Sequence, residues 1–193
     1  MWCVENMKTL LIIMSGLPAT GKSTVVETMT KQYERFGKKV HVYSTDKFIP
    51  YGEMAKGLID EDFSVLYESA ETLANHSLRN ALLKDIDIII WDQTNTSKKK
   101  RDQIITKMKQ MISDSFDVHY WAILPPRGEK EVAEWNRRLD ARTEKNVPRA
   151  IIQNMAKRYQ IPKLETGELT CYYVDIFGLM TTQHPSLFEE DEN

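Results

Sequence analysis

Thr9-Leu10-Leu11-Ile12-Ile13-Met14-Ser15-Gly16-Leu17-Pro18-Ala19-Thr20-Gly21-Lys22-Ser23-Thr24 is the stretch that decides how this chain folds. Residues 9–15 are apolar along nearly their whole length, the pattern of a strand covered on both faces of a sheet. Gly16 to Thr24 match G-x-x-x-x-G-K-[ST] completely. Gly16 and Gly21 permit turns that aim successive backbone N–H groups inward, a nest for phosphate oxygens. A helix is expected over residues 23–36, and its positive N-terminal end points at the same place. Lys22 has the reach for β- and γ-phosphates, and the Ser23 hydroxyl is a ligand for Mg²⁺. The candidate nucleotide-binding set is therefore Gly16, Leu17, Pro18, Ala19, Thr20, Gly21, Lys22, Ser23 and Thr24, with ATP and Mg²⁺ as cofactors.

Moving outward, short apolar runs alternate with longer amphipathic stretches. Strands are expected at 39–44, 86–91, 117–124 and 168–176, and helices at 60–84, 97–112, 129–144 and from Val147-Pro148 to 159. Strands separated by helices imply right-handed crossovers, so the fold class is α/β with a mostly parallel sheet flanked by helices. The 193 residues suit one domain over 1–193, ending in an acidic tail at 186–193. No apolar run approaches the roughly 20 residues of a membrane span, and no secretory leader is expected. Two cysteines, Cys3 and Cys171, are too few for a disulfide framework or a cysteine zinc site, so a reducing, cytoplasmic setting is expected. His41, His76, His119 and His184 show no metal-ligand spacing.

In an open α/β sheet, ligands lie beyond the carboxyl ends of the strands. Asp46 follows the second strand in Tyr43-Ser44-Thr45-Asp46, and Asp92 follows the third in Ile90-Trp91-Asp92-Gln93-Thr94-Asn95. Phosphoryl transfer to an alcohol needs a carboxylate to take the hydroxyl proton and orient the oxygen. It also needs negative charge to hold Mg²⁺, often through water, and Asp92 is the candidate beside Ser23. Aspartate is equally a favoured cap for the turn or helix that follows.

The charge spread over a transferring phosphoryl group suits arginine, with its permanent charge and bidentate fork. Arg137, Arg138 and Arg142 fall on one expected helix, and Arg138 and Arg142, four apart, share a face of it. The region about 127–148 therefore reads as a helical, arginine-bearing lid. The alternative is a solvated helix in which Glu134 pairs with Arg138.

With these parts in place, the chain resembles the phage-type polynucleotide 5′-kinases and their P-loop relatives. The resemblance spans roughly residues 10–162. It rests on Gly16–Thr24, Ser44-Thr45-Asp46, residues 89–95, and Arg138-Leu139-Asp140-Ala141-Arg142 followed by Val147-Pro148. It implies a P-loop NTPase fold and an ATP-dependent kinase with Asp46 as general base. It further implies that Lys22 and Ser23 serve phosphate and metal, and that Arg142 is the lid arginine at the transferring phosphate. A nucleic-acid acceptor, DNA or RNA, follows as the expected partner, with no membrane partner. A phage-encoded protein in a host cytoplasm is the setting the resemblance suggests. Two departures stand out. Ile49 occupies the position where phage enzymes of this type carry a substrate-holding arginine. No separate phosphatase domain is expected: the D-x-D triplets present, Asp60-Glu61-Asp62 and Asp85-Ile86-Asp87, lie inside the kinase-like span.

Three acceptors compete: a 5′-hydroxyl polynucleotide end, a hydroxymethylated base such as 5-hydroxymethyluracil in phage DNA, and a nucleoside or other small molecule. A regulatory ATPase without an acceptor is the reading from a different class. Net charge is −2, but residues 98–163 carry a net +8 and the last 30 residues a net −7. The run Lys98-Lys99-Lys100-Arg101 within that basic block is a candidate track for a nucleic-acid backbone.

Overall fold

The structure is a computed structural model that describes residues 8–50, 60–142, 147–163 and 170–181. In chain order the elements are β1 (Thr9–Ser15), α1 (Lys22–Arg35), β2 (Val40–Tyr43), a 3₁₀ turn (Thr45–Phe48), α2 (Asp60–Leu82), β3 (Ile88–Trp91), α3 (Lys98–Ile112), β4 (Phe116–Ile123), α4 (Gly128–Asp140), α5 (Arg149–Lys157), β5 (Thr170–Val174) and β6 (Met180–Thr181). They form one six-stranded sheet in the order β2-β3-β1-β4-β5-β6. Every pairing is parallel except β5 with β6. The expected α/β architecture, of the P-loop NTPase type, is thus present. Residues 1–7 and the acidic tail at 186–193 lie outside the described residues.

β1 is central because both its faces are apolar. Leu11 and Ile13 point into a core with Ala74 and Leu78 of α2 and Ile104 and Met108 of α3. Ile12 and Met14, one step out of phase, point into a second core with Val26 and Met29 of α1. The two-residue period of a strand makes this division. Residues 11–14 are completely buried. β1 leads through α1 to the β2 side of the sheet, while β4 leads toward β5, so the direction of winding switches between neighbouring β1 and β4. The crevice at their carboxyl ends is where an open α/β sheet takes its ligand.

Two local features lie outside the expected elements. A short antiparallel strand, β6, closes one edge; its two residues are too few to show a period. The segment after β2 coils at once into the 3₁₀ turn carrying Asp46.

Candidate active site

Gly16 leaves β1 where β4 ends. A Cβ built on Gly16 would come within 3.0 Å of Ile123 Cβ and 3.2 Å of the Ile123 carbonyl oxygen. Only glycine fits, and the loop turns directly over the end of β4. Ala19 and Gly21 then take positive φ, 61° and 103°, which reverses the chain and starts α1 at Lys22. Gly21 gives no side-chain cap, and the first turn of α1 has no acidic residue. Its N–H groups, oriented with the positive end of the helix dipole, are suited to an anion. The Thr20 hydroxyl closes the loop internally on the Leu17 carbonyl, 2.8 Å. Lys22 is buried, and its ammonium curls over the loop to donate to the carbonyls of Gly16 (2.9 Å) and Leu17 (2.7 Å). Ser23 and Thr24 are exposed at the mouth of the loop. A buried cation, uncapped helical N–H groups and no acid in the first turn fit a polyphosphate.

The loop after β3 is stitched beneath this one. The Gly16 N–H donates to the Thr94 carbonyl (2.9 Å) and the Ser15 hydroxyl to the Asn95 carbonyl (3.0 Å). Asn95 is buried at positive φ, 42°, and its amide donates to the Met14 carbonyl at 2.7 Å. Arg101 is also buried and donates to the Asn95 carbonyl, 3.0 Å. The Tyr159 phenol donates to the Ile123 carbonyl, 3.2 Å, and burial pushes its pKa up.

Asp46 and Asp92 stand at the ends of adjacent strands, since β2 pairs with β3. The Asp92 N–H donates to the Tyr43 carbonyl, 2.9 Å. Gln93 ties the two strand ends together. Its Oε1 accepts from the Trp91 indole (3.0 Å) and its Nε2 donates to the Thr45 hydroxyl (3.1 Å). Ser44 and Thr45 are buried, whereas Asp46 is exposed in the 3₁₀ turn and Asp92 half-buried. Ile49 is in the core, 6% exposed, so position 49 offers no polar group to a substrate. Among the described residues no three His, Cys, Asp or Glu groups converge on a metal. The donors present match a cation carried by nucleotide phosphates rather than one caged by protein.

α4 passes over the loop, with the Trp135 indole donating to the Pro18 carbonyl at 2.8 Å. A Cβ on Gly21 would sit 3.5 Å from Arg138 Nη1, so that guanidinium flanks the turn into α1. Glu134 pairs with both Arg137 Nε and Arg138 Nε at 2.7 Å, and these bonds push its pKa down to about 2. The Glu134–Arg138 pairing therefore exists alongside the approach of Arg138 to the loop. Arg142 is placed differently from the expectation. α4 ends at Asp140, and the Arg142 N–H donates to the Leu139 carbonyl in a tighter turn, so Arg142 lies past the helix. Residues 143–146 of the expected lid fall outside the described residues.

The basic run is also corrected. Arg101 faces inward, with its guanidinium 6.0 Å from the Tyr120 ring. Lys98 pairs with Asp102 at 3.0 Å, and its N–H is capped by Gln160. Lys98, Lys99 and Lys100 are all exposed and remain the candidates for a polyanion, Lys98 from within its surface pair with Asp102. Reading the sequence missed Gln93 and Trp135 as site residues. Trp135 had one available signal, an isolated aromatic three residues before Arg138 on a polar helix.

Comparisons with known proteins bear on the fold and the family. In sequence the chain is 27% identical over 157 residues to the L-seryl-tRNA(Sec) kinase of Methanococcus maripaludis, covering 79% of this chain and 53% of that protein. It thus spans about half the length of that curated relative. In structure it is similar to a fungal RNA kinase (TM-score 0.55, 18% identity, 93% of this chain and 80% of that one). It is also similar to Chaetomium thermophilum Kti12 in complex with ADP-AlF3 (TM-score 0.53, 20% identity, 86% and 88%). A putative kinase from Chloroflexus aurantiacus aligns at TM-score 0.57 and 20% identity, over 88% and 86%. These likenesses support a P-loop kinase fold in general, not the phage-type polynucleotide kinases in particular. The model of the family described as chromatin associated protein KTI12 matches residues 10–166, and the chain belongs to that family.

Proposed function

We propose that this protein transfers the γ-phosphate of ATP to a hydroxyl group of a nucleic acid, with a 5′-hydroxyl polynucleotide end as the acceptor. The observation that carries this reading is the common edge of the sheet. On it, the loop Gly16–Thr24, the Asp46 turn after β2 and the Asp92 loop after β3 follow adjacent strands, and Arg138 flanks the loop. RNA is the favoured acceptor, because similar proteins include an RNA kinase and a tRNA-linked seryl kinase.

In this mechanism Lys22 and the first N–H groups of α1 bind the phosphates of ATP and orient the γ-phosphorus. Asp46 accepts the proton of the acceptor hydroxyl as its oxygen bonds to that phosphorus and the bond to the β-phosphate oxygen breaks. Arg138 and Arg142 meet the charge on the equatorial oxygens. Mg²⁺ neutralises the phosphates when bound, and Ser23 and Asp92, the latter through water, are the residues to hold it.

The test offers radiolabelled ATP with 5′-hydroxyl RNA, 5′-hydroxyl DNA, hydroxymethyluracil-containing duplex DNA and free nucleosides. Label on RNA ends is expected. Label on internal bases or on monomers moves the acceptor to either alternative. Asp46→Asn should lower transfer at least ~100-fold while ATP binding persists, and chelation of Mg²⁺ should stop turnover. A second reading, ATP hydrolysis with no acceptor, draws on the Kti12 relative solved with ADP-AlF3. ATP consumed with no acceptor labelled would establish it.

A further inference from the structure

α4 is an unusual helix in this fold because none of its residues is buried. Its less exposed positions are Glu131, Glu134, Trp135, Arg138 and Leu139, a stripe at spacings of three and four that faces the protein. Charged groups make up most of that stripe. Burial of apolar surface therefore does little to set how far α4 slides or rotates over the phosphate loop. Directional contacts must do it.

Among the described residues such contacts hold α4 on two sides, and Lys130 also lies 5.4 Å from the Phe177 ring. On the inner side the Trp135 indole N–H donates to the Pro18 carbonyl, joining residues 117 apart in sequence. Pro18 lies at the centre of the loop between Gly16 and Gly21, and its ring fixes φ, which restricts where its carbonyl points. On the outer side Arg149, at the start of α5, donates to the Asn136 side chain (2.8 Å) and pairs with Asp140. Trp135 and Arg138 are three apart and neighbours on the helix surface. Fixing the indole on Pro18 thus delivers the Arg138 guanidinium to Gly21, while Glu134 holds Arg138 Nε at 2.7 Å.

From this geometry we infer that Trp135 is a positioning residue that registers the lid on the phosphate loop, so that Arg138 meets the transferring phosphate. Arg149 supports the same register from the far side of α4. Neither residue touches the reacting atoms. The inference rests on reading the loop as a nucleotide site, and goes beyond it in assigning the register of the lid to one indole hydrogen bond.

Trp135→Phe keeps an aromatic ring and deletes the donor. The measurement is the dissociation constant for ADP with Mg²⁺, with and without aluminium fluoride, which stands in for the transferring phosphoryl group. The protein itself should bind ADP–aluminium fluoride more tightly than ADP. In Trp135→Phe that preference should fall at least 10-fold while the ADP constant changes less than 2-fold. Arg149→Gln should move the preference in the same direction by a smaller factor. A purely structural role would weaken both complexes together, and that result overturns the inference, as does an unchanged preference. If the parent protein shows no preference for the fluoride complex, the lid assignment fails while the nucleotide site stands. If it binds no ADP, the reading of the loop itself fails.

Discussion

The floor of the candidate site and its cover lie a few ångströms apart yet are held by different forces. In the floor, the Ser15 hydroxyl bonds the Asn95 carbonyl across 80 residues of sequence, and Ser15, Thr20 and Asn95 are all at most 2% exposed. In the cover, α4 buries none of its residues and meets the loop through the Trp135 indole and the Arg138 guanidinium. A buried polar network resists distortion because each broken bond leaves an unpaired group away from water. A helix held by part-buried and exposed polar contacts has less of that resistance. The floor suits binding of the nucleotide in a fixed place. The cover suits a role confined to the moment of transfer.

Mutations in the two regions should therefore fail differently. Gly16→Ala should have the largest effect. Its Cβ has no space beside Ile123, and overpacking of this kind costs roughly 1–3 kcal/mol. Denaturant unfolding should show that loss together with loss of ATP binding. An alanine variant of normal stability would break the picture of a tightly packed floor. Arg138→Ala in the cover should lower phosphoryl transfer by about 100-fold and leave the unfolding midpoint near that of the parent. A large drop in stability would mean that α4 is structurally integral after all.

The smallest effect concerns acid. His41 lies on β2, beside the strand end that carries Asp46, and its Nε2 is buried without a hydrogen-bond partner among the described residues. Burial lowers its pKa below 6.5, with Lys47 adding to the shift. Below pH 6.5 and down to the folded-state value, the unfolded chain binds the extra proton, so stability falls as pH falls through that window. His119 on β4 shifts the same way, also by burial. Urea midpoints between pH 7.5 and 5.5 should fall, and His41→Leu should flatten part of that slope. An identical slope in the variant would assign the acid sensitivity elsewhere.

Much of this architecture was legible in contiguous residues. The run 9–15 and the pattern 16–24 sit together in the chain, so their strand, loop and helix follow from local periodicity and turn chemistry. Asp46 and Asp92 were recognisable because each ends an apolar run, and carboxyl ends of parallel strands share one edge. Arg101 was not legible as a core residue. It closes a run of four cations, and only the return of the chain at Asn95 and Tyr120 supplies its carbonyl and ring. Arg142 carried a helical spacing from Arg138 that outlived the helix itself, which stops at Asp140.

By itself, the sequence determined the fold class, the phosphate loop and the strand ends, because these depend on side-chain period and on glycine placement over short spans. Only the tertiary structure decided which distant groups meet. Asn95 under Gly16, Gln93 between Trp91 and Thr45, and Trp135 on Pro18 are bonds between segments whose approach is set by sheet order. Their directional geometry leaves no mark in the composition or periodicity of either partner.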